Sequence, residues 1–179
     1  AEKLTKRLPA AREFILDREI NERFGDAGNK VGLIVSGGTY NTVIRALNRI
    51  GLADIYGATD IDMLVLNCVY PLVDSQILEF CEGKSAVLVV EEGQPNYIEQ
   101  QIAHMLYKAG KSVALEGKGM LPMGGEYTGQ IMLDGLDTFV RQYAPELLPG
   151  KVLAPNAPKP ELPDLSKTVP IRPPGFCTG

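Results

Sequence analysis

The sequence predicts an α/β fold: a three-layer α/β/α domain around a mixed, mostly parallel sheet of about five strands. Short apolar runs rich in β-branched residues recur at 31–35, 63–67, 86–91 and 112–116. Runs of that length and composition read as buried strands. Between them lie segments whose apolar residues recur at helical spacing. Strands that alternate with helices build βαβ units, whose helices cover both faces of a parallel sheet.

Each element has its own signal. Before residue 25, Phe14, Ile15, Ile20 and Phe24 are spaced with charges between them, which predicts a helix with Pro9 near its start. The polar stretch KLTKR ahead of it is assigned to the fifth strand, on an edge where polar alternation is tolerated. Gly25 to Asn29 is a turn cluster. Val31 to Val35 is the first central strand, and a helix follows with Val43, Ala46, Leu47 and Ile50 inward and Gly51 ending it. Met63 to Asn67 is the next strand. A short helix then carries Val73, Ile77, Leu78 and Cys81 on one face, with Asp74 suited to its start. The run from Ala86 is the third strand, with Glu91-Glu92-Gly93 at its end. The helix over 95–108 turns Ile98, Ile102, Met105 and Leu106 inward, with Pro95 in its first turn. Ser112 to Glu116 is a shorter strand. The Gly-rich loop from Gly117 to Thr128 leads into a last helix with Met132, Leu136, Phe139, Val140 and Tyr143 inside.

Composition bounds the function. The chain has 179 residues, enough for one domain with an arm. Eighteen basic and 22 acidic residues give a net charge of −4, which argues against nucleic acid or an anionic membrane as the main partner. No apolar run reaches the roughly 20 residues of a membrane span, and no signal-peptide pattern opens the chain. Three cysteines make no disulfide framework; Cys68 and Cys81, in apolar segments, read as reduced core residues of a cytoplasmic protein. A single histidine, His104, falls off the apolar stripe of its helix and reads as solvated. Nine of the 13 prolines fall between Pro145 and Pro174, so the expected organisation is a domain over 1–145 and a Pro-rich connector over 146–179. The ends suggest a piece of a longer polypeptide.

Four segments carry candidate chemistry. Ser36-Gly37-Gly38-Thr39 joins a strand to a helix; it either offers backbone N–H groups to an anion or is a tight turn with Ser36 or Thr39 as cap. It lacks the lysine of a P-loop. Glu91 and Glu92 follow a buried strand, where ligands of open α/β sheets gather. Adjacent strand carboxylates point to opposite faces, so they make a polar contact at a cleft or a solvated strand end, not an acid–base pair. In Gly124-Gly125-Glu126-Tyr127-Thr128, Glu126 is a candidate contact residue, or the glycines make a turn that Thr128 caps. Cys177 sits in a Pro-Pro-Gly-Phe-Cys segment. With two small residues after it, it forms half of a C-x-x-C, a motif of iron–sulfur, zinc or redox sites; an incidental thiol is the other reading.

Four longer motifs carry a family resemblance. VGLIVSGGTYNTVIRAL, VLNCVYPLVDSQILEF, AVLVVEEGQPNYIEQQI and LPMGGEYTGQI together run from Val31 to Ile131. They resemble the α subunit of indolepyruvate ferredoxin oxidoreductase, in the 2-oxoacid:ferredoxin oxidoreductase family. The strand–loop–helix scheme also resembles the transketolase C-terminal-type domain, in which the fifth strand runs antiparallel. RPPGFCTG resembles the start of the family's next domain, which opens with C-x-x-C. The resemblance implies a parent enzyme that oxidatively decarboxylates aryl pyruvates to aryl-acetyl-CoA and passes electrons to ferredoxin. It implies thiamine diphosphate, magnesium and 4Fe-4S clusters in that parent, with Cys177 a cluster ligand there, and flanking thiamine-binding domains and a β subunit or domain as partners. This chain is then the middle domain, a structural and interface module expected to hold no cofactor and to be inactive alone. Loops 36–40, 91–96 and 124–128 are expected to form one interface patch, with Tyr40, Tyr97 and Tyr127 as aromatic anchors. The alternative is a free-standing α/β domain that binds a nucleotide or phosphate at Gly37-Gly38.

Overall fold

The structure is a computed structural model that describes residues 2–148. Lys3–Arg7 forms a wide π-helical turn that continues into α1 (Leu8–Asp17). A short strand, β1 (Glu22–Phe24), follows. Strands and helices then alternate: β2 (Val31–Ser36), α2 (Tyr40–Arg49), β3 (Asp62–Leu66), α3 (Asp74–Phe80), β4 (Ala86–Val90), α4 (Tyr97–Lys108), β5 (Ala114–Glu116) and α5 (Gly129–Tyr143).

One sheet runs through the middle in the order β1-β3-β2-β4-β5. β2 pairs in parallel with β3 and with β4, and β4 pairs in parallel with β5. β1 alone is antiparallel, with Glu22 opposite Val65 and Phe24 opposite Met63. The five-stranded, mostly parallel sheet expected from the sequence is present. Both outer strands, β1 and β5, have three residues.

Alternation along each strand builds two cores. Val31, Leu33 and Val35, with Met63, Val65, Leu88 and Val90, pack against Val43 and Leu47 of α2 and against Met132, Leu136 and Phe139 of α5. Ile34, Leu64, Leu66, Val87 and Val89 face the other way, onto Ile77 and Phe80 of α3 and Ile98, Ile102 and Leu106 of α4. All of β4 is buried. Burying one such side chain contributes roughly 1.5–3 kcal/mol, so a strand covered on both faces is held mainly by its side chains.

The N-terminal segment departs from expectation. KLTKR is not the edge strand; it is helical and exposed throughout. Lys, Leu and Arg are good helix formers, and none of the five residues finds a buried face to support alternation. The edge strand is Glu22–Phe24, which sequence periodicity had merged into the first helix. That helix stops at Asp17, and Glu19 adopts φ +48°, which turns the chain back. Arg23 then reaches Asp62, and Phe24 stacks on Tyr40 with ring centroids 5.3 Å apart.

Smaller differences have local causes. α4 begins at Tyr97, and Pro95 lies outside it after a cis peptide bond. Asp74 does stand at the start of α3, as its first residue, and pairs with Arg12 at 3.7 Å. Cys81 is buried as expected, but Cys68 is half-buried, because the chain leaves the sheet at Leu66; its thiol donates to the Tyr70 carbonyl at 3.4 Å. No helix among the described residues is long and apolar enough to cross a membrane.

A buried ionic cluster fixes the N-terminal ends of the strands. Asp62, at the start of β3, receives Arg23 at 3.0 and 2.8 Å and Lys84 at 2.6 Å. Both cations also lie over the Phe80 ring, at 5.4 and 5.0 Å from its centroid. Gly32 makes room for this group: a Cβ there would stand 2.8 Å from the Phe80 ring and 2.9 Å from the Lys84 stem.

Candidate functional site

The order of the strands places the functional edge. From β2 the chain crosses to β3 on one side; from β4 it crosses to β5 on the other. β2 and β4 are neighbours, so their C-terminal ends flank a topological switch point, where open α/β sheets present their loops. The loops after β2, β4 and β5 meet along this edge. They are the three loops singled out in the sequence.

Glu91 is buried at the end of β4. Its two carboxylate oxygens each accept the Ile98 N–H at 3.0 Å, and one also accepts the Glu99 N–H at 3.2 Å. The side chain thus caps α4 from outside the helix, where a negative charge suits the free N–H groups and the dipole. Asn96, at the cap position itself, makes no side-chain capping bond. Glu91 is neither a solvated strand end nor a group aimed at a ligand; it joins strand to helix.

Glu92 points the other way, as adjacent strand residues must. It accepts the Tyr127 N–H at 2.8 Å, which ties the loop after β4 to the loop after β5. Tyr127 is buried, so it is not the exposed anchor expected of it. Its hydroxyl donates to the Pro122 carbonyl at 2.8 Å and accepts from Lys118 at 2.7 Å. The Lys118 ammonium also donates to the Glu91 carbonyl, and its backbone N–H donates to Glu99 at 3.0 Å. Burial pushes the Lys118 ammonium down from its usual range, against the pull of Glu91, Glu99 and Glu92. Burial, reinforced by the same three carboxylates, pushes the Tyr127 phenol up to about 12.

The Ser36 loop is a tight turn between β2 and α2. Gly37–Thr39 is a 3-10 turn that leads directly into α2. Ser36 donates its hydroxyl to the Val90 carbonyl at 3.3 Å, and Thr39 donates to the Ser36 carbonyl at 2.8 Å. Both hydroxyls are therefore spent on the backbone. A Cβ on Gly37 would stand 2.7 Å from the Asn67 amide oxygen, the movable end of an exposed side chain; Gly38 faces open space. Tyr40 is half-buried on Phe24. Tyr97 is 62% exposed, and Glu126 is exposed with no side-chain partner among the described residues. Thr128 caps α5 by accepting from Ile131 at 3.4 Å, as the sequence suggested. His104 is exposed on α4. Cys177 and most of the Pro-rich segment lie outside the described residues.

Sequence reasoning missed Lys118 and Glu99. The available signal was a lone cation, Gly117-Lys118-Gly119, directly behind a strand in a loop otherwise short of charge. Among the described residues, every buried side-chain nitrogen or oxygen has a hydrogen-bond partner. Glu91, Glu92 and Lys118 join the loops of this edge to one another.

Fold and loops together define an α/β domain with helices on both faces and an internally locked switch-point edge. Comparison with known proteins then supplies the family. A family model described as Indolepyruvate oxidoreductase domain matches residues 21–134, and the chain belongs to that family. It is 32% identical to the indolepyruvate oxidoreductase subunit IorA of Methanothermobacter marburgensis, over 99% of this chain and 25% of that protein. It is 29% identical to the subunit of the same name from Methanothermobacter thermautotrophicus, over 99% of this chain and 25% of the relative. With the one from Thermococcus kodakarensis the identity is 27%, over 97% and 25%. The chain thus spans about a quarter of the length of these curated relatives.

Proposed function

We propose that this chain is the middle domain of a large subunit of an indolepyruvate:ferredoxin oxidoreductase, and that it serves there as a structural and interface module. The observation that carries the reading is the combination of near-complete coverage of this chain with coverage of only 25% of each relative's length. The domain described above then ends near residue 145, and the Pro-rich segment connects it to the next domain. The single antiparallel edge strand supports the transketolase C-terminal type of scheme.

The parent reaction in this reading is oxidative decarboxylation of an aryl pyruvate to the aryl-acetyl-CoA, with ferredoxin as electron acceptor. Thiamine diphosphate and magnesium belong to other parts of the parent, and of this chain only Cys177, past the domain, would contribute to a 4Fe-4S cluster there. The described residues do not fit the metal–diphosphate end of thiamine diphosphate. No trio of His, Cys, Asp or Glu among them is placed to share a metal ion. The carboxylate nearest the switch point, Glu91, already gives both oxygens to α4. No step is therefore assigned to residues of this domain.

The test compares two proteins. The full-length subunit, with its partner, should reduce a viologen dye when given indolepyruvate and CoA. The 179-residue chain should not, and calorimetry should detect no thiamine diphosphate binding to it. Saturable thiamine diphosphate binding by the 179-residue chain would overturn the division of labour proposed here.

A further inference from the structure

The link between α2 and β3 is built to hold two apolar side chains away from the protein. Ile55 is 79% exposed and Tyr56 is 89% exposed. The stems on either side are fixed: Leu52 and Ile61 are fully buried. Ala53 and Thr59 form an isolated antiparallel bridge. Inside it, the Asp54 N–H donates to the Ala58 carbonyl at 2.8 Å. The Asp54 carboxylate accepts the N–H groups of Tyr56 and Ala58 at 2.8 and 2.9 Å. Thr59 donates its hydroxyl to the Leu52 carbonyl, and Asn48 donates to the Ala53 carbonyl, each at 2.8 Å. Gly57 lies against Tyr40: a Cβ there would be 3.1 Å from its hydroxyl.

Single apolar residues on a surface are ordinary. Two adjacent large ones on a tip this well tied are a preorganised anchor, because little ordering entropy is left to lose on contact. We infer that the Ile55–Tyr56 tip seats in an apolar pocket on another domain of the same oxidoreductase subunit. This rests on the reading of the chain as one domain of a longer subunit. The chain covers 25% of each of its relatives from Methanothermobacter, so in such a subunit most of the polypeptide lies outside it. Surfaces between domains of one chain resemble transient protein–protein interfaces, whose centres are enriched in aromatic residues.

A second copy of this domain is the competing occupant, since the groove between α1, α3 and α4, about 300 Å³, presents Tyr97 and Met105 beside Arg12, Asp74 and His104. Dependence of the labelling on concentration separates the two.

Hydroxyl-radical footprinting tests the inference. In the 179-residue chain, Ile55 and Tyr56 should be oxidised readily. In the full-length subunit without its partner subunit, their labelling should fall to the level of buried Phe139. The double variant I55S/Y56S should leave the melting temperature of the 179-residue chain unchanged. In the full-length subunit it should split a single melting transition into two. Equal labelling of Tyr56 in both proteins overturns the inference. So does protection that needs the partner subunit, or that grows with the concentration of the 179-residue chain. If the full-length subunit with its partner does not oxidise indolepyruvate, the functional reading fails whatever the footprint. If it does, and Tyr56 stays labelled, only the docking inference fails.

Discussion

Lys84 and Asp62 meet at 2.6 Å with 1% and 0% of their side chains exposed, beneath a sheet whose upper loops carry the carboxylate network. Breaking such a pair from one side leaves a charge without its partner in the interior. Asp62→Asn should therefore cost about 3–5 kcal/mol. Replacing both residues, as Asp62→Leu with Lys84→Met, should recover much of that loss, because Arg23 can turn to solvent. Urea unfolding of the three proteins checks the order. A double variant less stable than Asp62→Asn would contradict the account.

Glu92 and Glu126 separate two kinds of loop carboxylate. Carboxylates on surface loops ordinarily leave stability nearly unchanged when replaced by alanine. The bond from the Tyr127 N–H to Glu92 alters that for one of them. Glu92→Ala should cost about 1 kcal/mol, since it removes the acceptor of the part-buried Tyr127 N–H. Glu126→Ala should stay within about 0.5 kcal/mol. Equal unfolding midpoints for the two variants would mean that Glu92 is not the tie between the loops.

Alkaline titration reads the Tyr127 environment. Its phenol rises from the ordinary 10.0 to about 12 in the folded chain, chiefly through burial. A raised acid of this kind favours the folded state fully below its unfolded value. That contribution is lost as pH climbs from about 10 to about 12, because the unfolded chain ionises first. Lys118, lowered by burial, works in the opposite sense as pH approaches its unfolded value of 10.5. Stability of Tyr127→Phe should consequently fall less steeply across that window. Tyrosinate absorbance of the native protein should show one phenol titrating late that the variant lacks.

Thiol labelling should discriminate the two described cysteines. Burial pushes Cys81 up to about 11, against the pull of Lys84 and Lys111, and the residue is 1% exposed. The thiolate is the reactive form, so Cys81 should be alkylated far more slowly than half-buried Cys68. Peptide-level mass spectrometry after brief alkylation in mildly alkaline buffer measures the ratio. Faster modification of Cys81 would show that the α3 end opens readily.

Much of the fold was legible because burial imposes a period. Val31, Leu33 and Val35 face one core and Ile34 the other, and no local choice in β2 or β4 opposes that pattern. Thr128 was legible as a cap because Thr before a helix has one common use. β1 was not legible: three residues, Glu22 to Phe24, are too few to show alternation, and what makes them a strand is their pairing with Met63 to Val65, roughly 40 positions away. The candidate loops were legible from their glycines and from their positions after strands. Their internal wiring was not. Whether Tyr127 is an anchor or a buried strut depends on Lys118, Pro122 and Glu92, and that convergence exists only in three dimensions.

The three-residue outer strands have a consequence for how this domain lives when uncovered. An open sheet invites a passing chain to extend it by pairing with free backbone groups. β1 offers a ladder of only three positions, two of them charged, and β5 is equally short. Such a rim gives an incoming strand little to grip. Uncovered, the domain therefore offers other sheets almost no edge on which to add a strand.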